Sequence, residues 1–129
     1  MSIPAMEQPT IDENEIVFFN LKKQLGVPVD DTSFDNEILL QINAAFSTLQ
    51  QLGAGPEPFV LLDYNNYTTY SWKQYSAELR SDLGNVQLYM WLRLRLLFDP
   101  PASGFTTTSL EKVLDEVTWR LTVQGGQDD

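Results

Sequence analysis

Residues 85–101, NVQLYMWLRLRLLFDPP, limit what this chain can fold into more than any other stretch. From Val86 to Phe98 every residue is apolar or aromatic except Gln87, Arg93 and Arg95, and Asp99, Pro100 and Pro101 end the run abruptly. A segment this apolar requires cover on nearly all sides. Within residues 90–96 apolar residues and Arg alternate in a way a strand would satisfy, but the length of the run and its Leu, Met, Arg and Gln content favour a helix. On a helix Arg93 and Arg95 point about 160° apart, so no single solvent-facing stripe holds both. One or both must pair with carboxylates or snorkel to water, which makes Arg93 and Arg95 candidate structural ion-pair anchors.

Other helices are expected on either side of this segment. Residues 1–10 read as a flexible arm. Thr10 with Glu13 has the form of a capping box, followed by a helix from about 11 to 25 that stops at Gly26. Val17, Phe18, Leu21 and Leu25 share one face of that helix, whereas Ile16 and Phe19 fall on another. A second helix from about 34 to 52, closed by Gly53, has the clearest amphipathic pattern: Phe34, Ile38, Leu39, Ile42, Ala45, Phe46 and Leu49 form its stripe, and Leu40 lies opposite. A last helix from about 109 to 123 follows a linker at 102–107, with Leu110, Val113, Leu114, Val117 and Leu121 inward and Trp119 outward. Glu116 and Arg120 are spaced for a surface ion pair. Residues 124–129 (QGGQDD) read as a flexible tail.

Between the second helix and the central one, GAGPEP at 53–58 breaks the helical pattern, and residues 59–70 form either a long loop or a short β-hairpin. Ser71 with Gln74 repeats the capping-box form and starts a short helix from Trp72 to about Ser81. Tyr64, Tyr67, Tyr70, Trp72 and Tyr75 crowd this region, either to pack the loop onto the core or to present a recognition surface. The fold class is therefore all-α: a bundle of four to five helices around a central buried helix, forming a single domain over residues 11–123, within the size range of one hydrophobic core.

Composition excludes most chemistry. The chain has no Cys and no His, which removes disulfides, thiolate nucleophiles, the usual zinc sites and imidazole acid-base catalysis. No glycine-rich phosphate loop is present, and the adjacent carboxylates at Asp30 and Asp31, at Asp115 and Glu116, and at Asp128 and Asp129 read as solvated charge rather than a catalytic or metal-binding pair. No enzyme, cofactor or metal is expected. The net charge of −10, from 18 acids and 8 bases, argues against a sequence-independent grip on DNA phosphates. The first 66 residues contain 10 acids and 2 bases, so one end or face carries a strongly negative field. No signal-like or membrane-spanning segment is evident, and a soluble protein is expected.

Apolar surface remains after one core is filled. Ile16, Phe19, Leu40 and Trp119 lie off the inner stripes of their helices, which marks them either for a subunit or partner interface or for cover by neighbouring helices of the same chain.

The sequence resembles the head-tail connector (adaptor, or head-completion) family of tailed bacteriophages and of prophages of Gram-positive bacteria. The residues that carry the likeness are KKQLG at 22–26, Phe34 with Asp35 leading into QINAAFSTLQQLGAGP at 41–56, LRLRLLFDPPASGF at 92–105 and LEKVLDEVTWRL at 110–121. Together these blocks span most of residues 11–123, with little likeness between 57 and 84. The resemblance implies a helical subunit of a homo-oligomeric ring at the head-tail junction of the virion. That ring would bind below the portal protein, extend the DNA channel, offer a platform to a downstream head-completion or tail protein, and let DNA pass without specific binding. It also implies synthesis in the bacterial host cytoplasm and no membrane partner. The alternative reading from the residues is a small acidic regulatory module that binds a protein partner outside any virion.

Overall fold

A computed structural model, which describes residues 14–98 and 104–126, contains five helices and no strand among those residues: α1 (Val17–Gln24), α2 (Asp35–Gln51), α3 (Trp72–Ser76), α4 (Leu83–Phe98) and α5 (Gly104–Gly126). The expected all-α bundle around the apolar segment is what forms. Helix α4 packs against α5, α2 and α1, burying Val86, Tyr89, Met90, Leu92 and Leu94. Its cover is less complete than its composition suggests, because Leu97 near its C-terminal end is exposed.

Helices α1 and α2 end alike. Gly26 and Gly53 take φ values of 83° and 81°, the left-handed geometry that lets the chain turn back over the last helical carbonyls. The amide of Gly53 donates to the Gln50 carbonyl and that of Ala54 to the Leu49 carbonyl, both at 3.0 Å. The inner stripe of α2 is buried as expected, with Ile38, Leu39, Ile42, Ala45, Phe46 and Leu49 in the core.

Helix α1 starts later than its apolar periodicity predicts. Ile16 is extended and forms an isolated antiparallel bridge with Ser71. The Val17 amide donates to Tyr70 O at 3.0 Å, and the Trp72 amide donates to Glu15 O at 2.8 Å. These exchanges give the backbone around residue 16 tertiary partners in place of helical ones. The predicted capping box of Thr10 and Glu13 and the predicted arm lie outside the described residues.

Of the two alternatives for residues 59–70, the loop forms and the hairpin does not. Asp63 Oδ1 accepts the amides of Asn65 at 2.8 Å and Asn66 at 3.2 Å, a turn in which the side chain substitutes for a ladder. Asn43 of α2 brackets Leu62, accepting its amide at 2.8 Å and donating to its carbonyl at 2.9 Å. The aromatic residues of this region mostly face inward. Tyr75 stacks on Phe46 with centroids 4.5 Å apart, and Tyr67 meets Phe18 edge-on at 4.9 Å.

The capping box of Ser71 and Gln74 forms, but α3 closes at Ser76 rather than Ser81. Helix α4 is then restarted by Asp82, whose Oδ2 accepts the Asn85 amide at 3.0 Å, the bond of an N-cap aspartate. Helix α5 is longer than expected at both ends. Residues 104–107 of the predicted linker and 124–126 of the predicted tail are helical, and Gln124 Oε1 accepts the Asp82 amide at 3.3 Å. Residues 127–129 lie outside the described residues. The inner stripe of α5 is narrower than predicted. Val117 and Leu121 are buried, Leu110 and Leu114 are partly buried against the core, and Val113 is exposed.

Candidate interaction surface

Two helices flank α4, and each carries a large apolar side chain pointing away from it. At about 100° per residue, Leu40 stands about 160° from both Ile38 and Ile42, so burying those residues turns Leu40 outward. Trp119 has the same relation to Val117 and Leu121 on α5. The exposures match this geometry, at 65% for Leu40 and 66% for Trp119. The other two interface candidates lie elsewhere. Phe19 is only 7% exposed and meets Phe18 edge-on at 5.4 Å. It therefore belongs to the core and is withdrawn from any partner surface. Ile16 is half-buried against the core where it pairs with Ser71.

Around Leu40 the loop adds exposed Tyr64. Tyr64 OH is held by a hydrogen bond to Asn36 Oδ1. Leu39, Leu40, Asn43, Leu62, Asp63 and Tyr64 line a shallow groove of about 410 Å³ there. A second groove runs where α4 meets α5, lined in part by Tyr89, Arg93, Leu97, Leu114 and Thr118.

Arg93 is the polar centre of that second groove. Its guanidinium donates to Thr48 Oγ1 at 3.0 Å and Tyr89 OH at 2.9 Å. The partners of Arg93 among the described residues are thus hydroxyls, and the bond to Thr48 ties α2 to α4. Arg95 is half-buried on α4. Glu116 and Arg120 form the expected exposed ion pair on α5.

The main polar interaction of the fold was not foreseen. Lys22 of α1, with a side chain 1% exposed, places Nζ 2.8 Å from Asp35 Oδ1 and 3.1 Å from Val29 O. Both residues sit in blocks that carry the family likeness, yet a Lys on a predicted helix and an Asp opening another give no sign that they meet. The signal that was available is Phe34 with Asp35 at the start of α2 and the short 26–34 connection, which leaves α1 and α2 little choice but to pack together.

Ionisable groups with altered affinity for protons are structural. Burial pushes the Tyr75 hydroxyl well above the usual phenol range, and Tyr70 next to it adds to the effect. Burial, with Glu78 nearby, raises Tyr70 to about 12. Asp31 is held below the usual carboxylate range by the backbone and side-chain hydrogen bonds of Ser33. Among the described residues no group of three or more His, Cys, Asp or Glu is placed to hold a metal ion, and no helix is long and apolar enough to cross a membrane. What the surface offers is two outward apolar sites on two separate helices that pack against α4.

Compared with known proteins, the chain matches the family model described as phage connector protein over residues 17–128. No curated protein and no solved structure matches it.

Proposed function

The chain belongs to the phage connector protein family, and from that membership we propose that it is a repeated ring subunit that sits below the portal, extends the DNA channel and presents a platform to a head-completion or tail protein. A connector role and a place among the virion's components follow from the family itself. The match over residues 17–128 is the observation that carries the finer reading.

The geometry supports that reading on one point. Subunits joined head to tail close into a ring only if each carries two different patches that fit one another. Leu40 on α2 and Trp119 on α5 lie on separate helices, each turned away from the core. The role proposed is structural rather than catalytic, in keeping with a chain that has no His and no Cys. Its charge of −10 disfavours adhesion to phosphates, which suits a passage through which DNA must slide. The same charge favours the second reading, a small acidic module that covers a basic surface of another protein. Synthesis in the cytoplasm of a bacterial host goes with the first.

Native mass spectrometry and negative-stain imaging of the purified protein, alone and with portal protein, separate the two. Rings, or monomers that become rings on portal, are expected. A persistent monomer indifferent to portal would overturn the ring.

A further inference from the structure

The exposed side of α5 has an order that its buried side conceals. Phe105, Lys112 and Trp119 follow one another at intervals of seven residues, which on a straight helix drift by only about 20° per step and rise by about 10 Å. They form one stripe. Phe105 is 82% exposed and Trp119 66%, so two large aromatic side chains stand in water with a lysine between them. Burying such side chains is favourable, and their grouping marks an interface more than single exposed residues do.

The charge on this stripe has a sign. Glu116 beside it is taken by Arg120. Asp115 turns to the groove between α4 and α5 that also contains Arg93. Lys112 is exposed. The groove around Leu40 has the opposite character. It is apolar at Leu39, Leu40 and Leu62, with Tyr64 at its edge, and Asp63 lines it. Glu37, exposed one turn before Leu40, adds a second negative charge. An apolar stripe with a central cation and an apolar groove with an acidic rim complement one another in charge.

Resting on the ring reading, we infer that the Phe105, Lys112 and Trp119 stripe of each subunit docks into the groove at Leu40 and Tyr64 of its neighbour, with Lys112 facing Asp63 and Glu37. The occupant of the groove is a second copy of this chain, and the contact is heterologous. It therefore leaves each growing assembly with one free stripe at one end and one free groove at the other until the cycle closes.

Leu40→Asp and Trp119→Asp test this, because each destroys one surface and keeps the other. Both side chains are exposed, so the variants are expected to keep the wild-type circular dichroism and Tm. Under the condition in which wild type forms rings, alone or on portal protein, neither variant forms them by itself. Mixed in equal amounts they give a heterodimer in native mass spectra and go no further, since the intact stripe of L40D meets the intact groove of W119D and both remaining surfaces are spoiled. Rings from either variant, or no heterodimer from the mixture while wild type assembles, overturn the docking and leave the ring reading standing. A wild type that never assembles overturns both.

Discussion

Lys22 Nζ on α1 lies 2.8 Å from Asp35 Oδ1 at the start of α2, and it also donates to the Val29 carbonyl while standing 5.7 Å from the Phe18 ring centroid. One ammonium thus ties together two helices and the turn between them. Lys22 is 1% exposed but Asp35 is 20% exposed, so the two ends of the pair differ in what happens when they are left alone. Asp35→Ala strands a buried cation and is expected to lose about 3 kcal/mol, as removal of one partner from a buried pair generally does. Lys22→Met fills the same space and leaves a carboxylate that can reach water, so its loss is expected to be smaller. Urea denaturation of both variants checks the order, and an equal or reversed order contradicts the account.

Gly55 and Tyr75 are in direct conflict with any larger residue at position 55. A Cβ built on Gly55 would lie 2.9 Å from Tyr75 OH and 3.2 Å from Leu49 Cβ. Gly55→Ala should therefore cost about 1–3 kcal/mol by overpacking. Tyr75 OH is buried without a hydrogen-bond partner among the described residues, so Tyr75→Phe is expected to be neutral or stabilising and to recover part of the loss in the double variant. A double-mutant cycle with no coupling between the two positions would rule this out.

The buried tyrosines make the fold sensitive to alkali. Tyr70 is raised to about 12 and Tyr75 is raised further, chiefly by burial, whereas both titrate near pH 10 once unfolded. The native state therefore holds protons that the unfolded state releases. Stability is complete below about pH 10 and falls as pH rises from there through the folded values. Unfolding midpoints in urea at about pH 9 and pH 11 should decrease in that order, and Tyr70→Phe should flatten the decrease. An unchanged midpoint would contradict it.

Trp119 and Val117 are two residues apart and should behave oppositely. Val117 is buried and Trp119 is 66% exposed. Val117→Ala is expected to cost about 2 kcal/mol of monomer stability, and Trp119→Ala less than about 0.5 kcal/mol while abolishing assembly. Thermal melts and native mass spectra of the two variants separate these effects. A large Tm loss for Trp119→Ala would make it a core residue.

Trp72 links α3 to α1 through a specific bond. Its indole Nε1 donates to Asn20 Oδ1 at 2.9 Å while the ring is buried. Trp72→Phe keeps most of the apolar area but orphans the Asn20 acceptor, so a loss of about 1 kcal/mol is expected. Asn20→Ala should lose a similar amount, since it orphans the indole donor. Denaturant midpoints of both check this.

The helices were legible before the structure because repetition identifies them. The stripe of α2 from Ile38 to Leu49 repeats at the helical period, Gly26 and Gly53 close their helices with a backbone geometry other residues avoid, and Ser71 with Gln74 is a cap readable from spacing alone. The outward setting of Leu40 and Trp119 follows from the same arithmetic, since a residue two positions from a buried one on each side has nowhere else to point. These are local properties, determined by residues within a turn or two of one another.

What only the tertiary structure decided depends on partners far along the chain. Phe19 shares no stripe with Phe18, yet it is buried because other parts of the chain cover its side of α1. The start of α1 is set by the backbone of Tyr70 and Trp72, and the loop at 59–70 is anchored by Asn43 of α2, which takes both backbone groups of Leu62. Lys22 finds Asp35, and Arg93 finds Thr48, across separations that no periodicity encodes. The physical reason is the same in each case: a polar group leaving water must be satisfied by whatever the fold brings near it, and that neighbour is a property of the packed molecule rather than of the adjacent sequence.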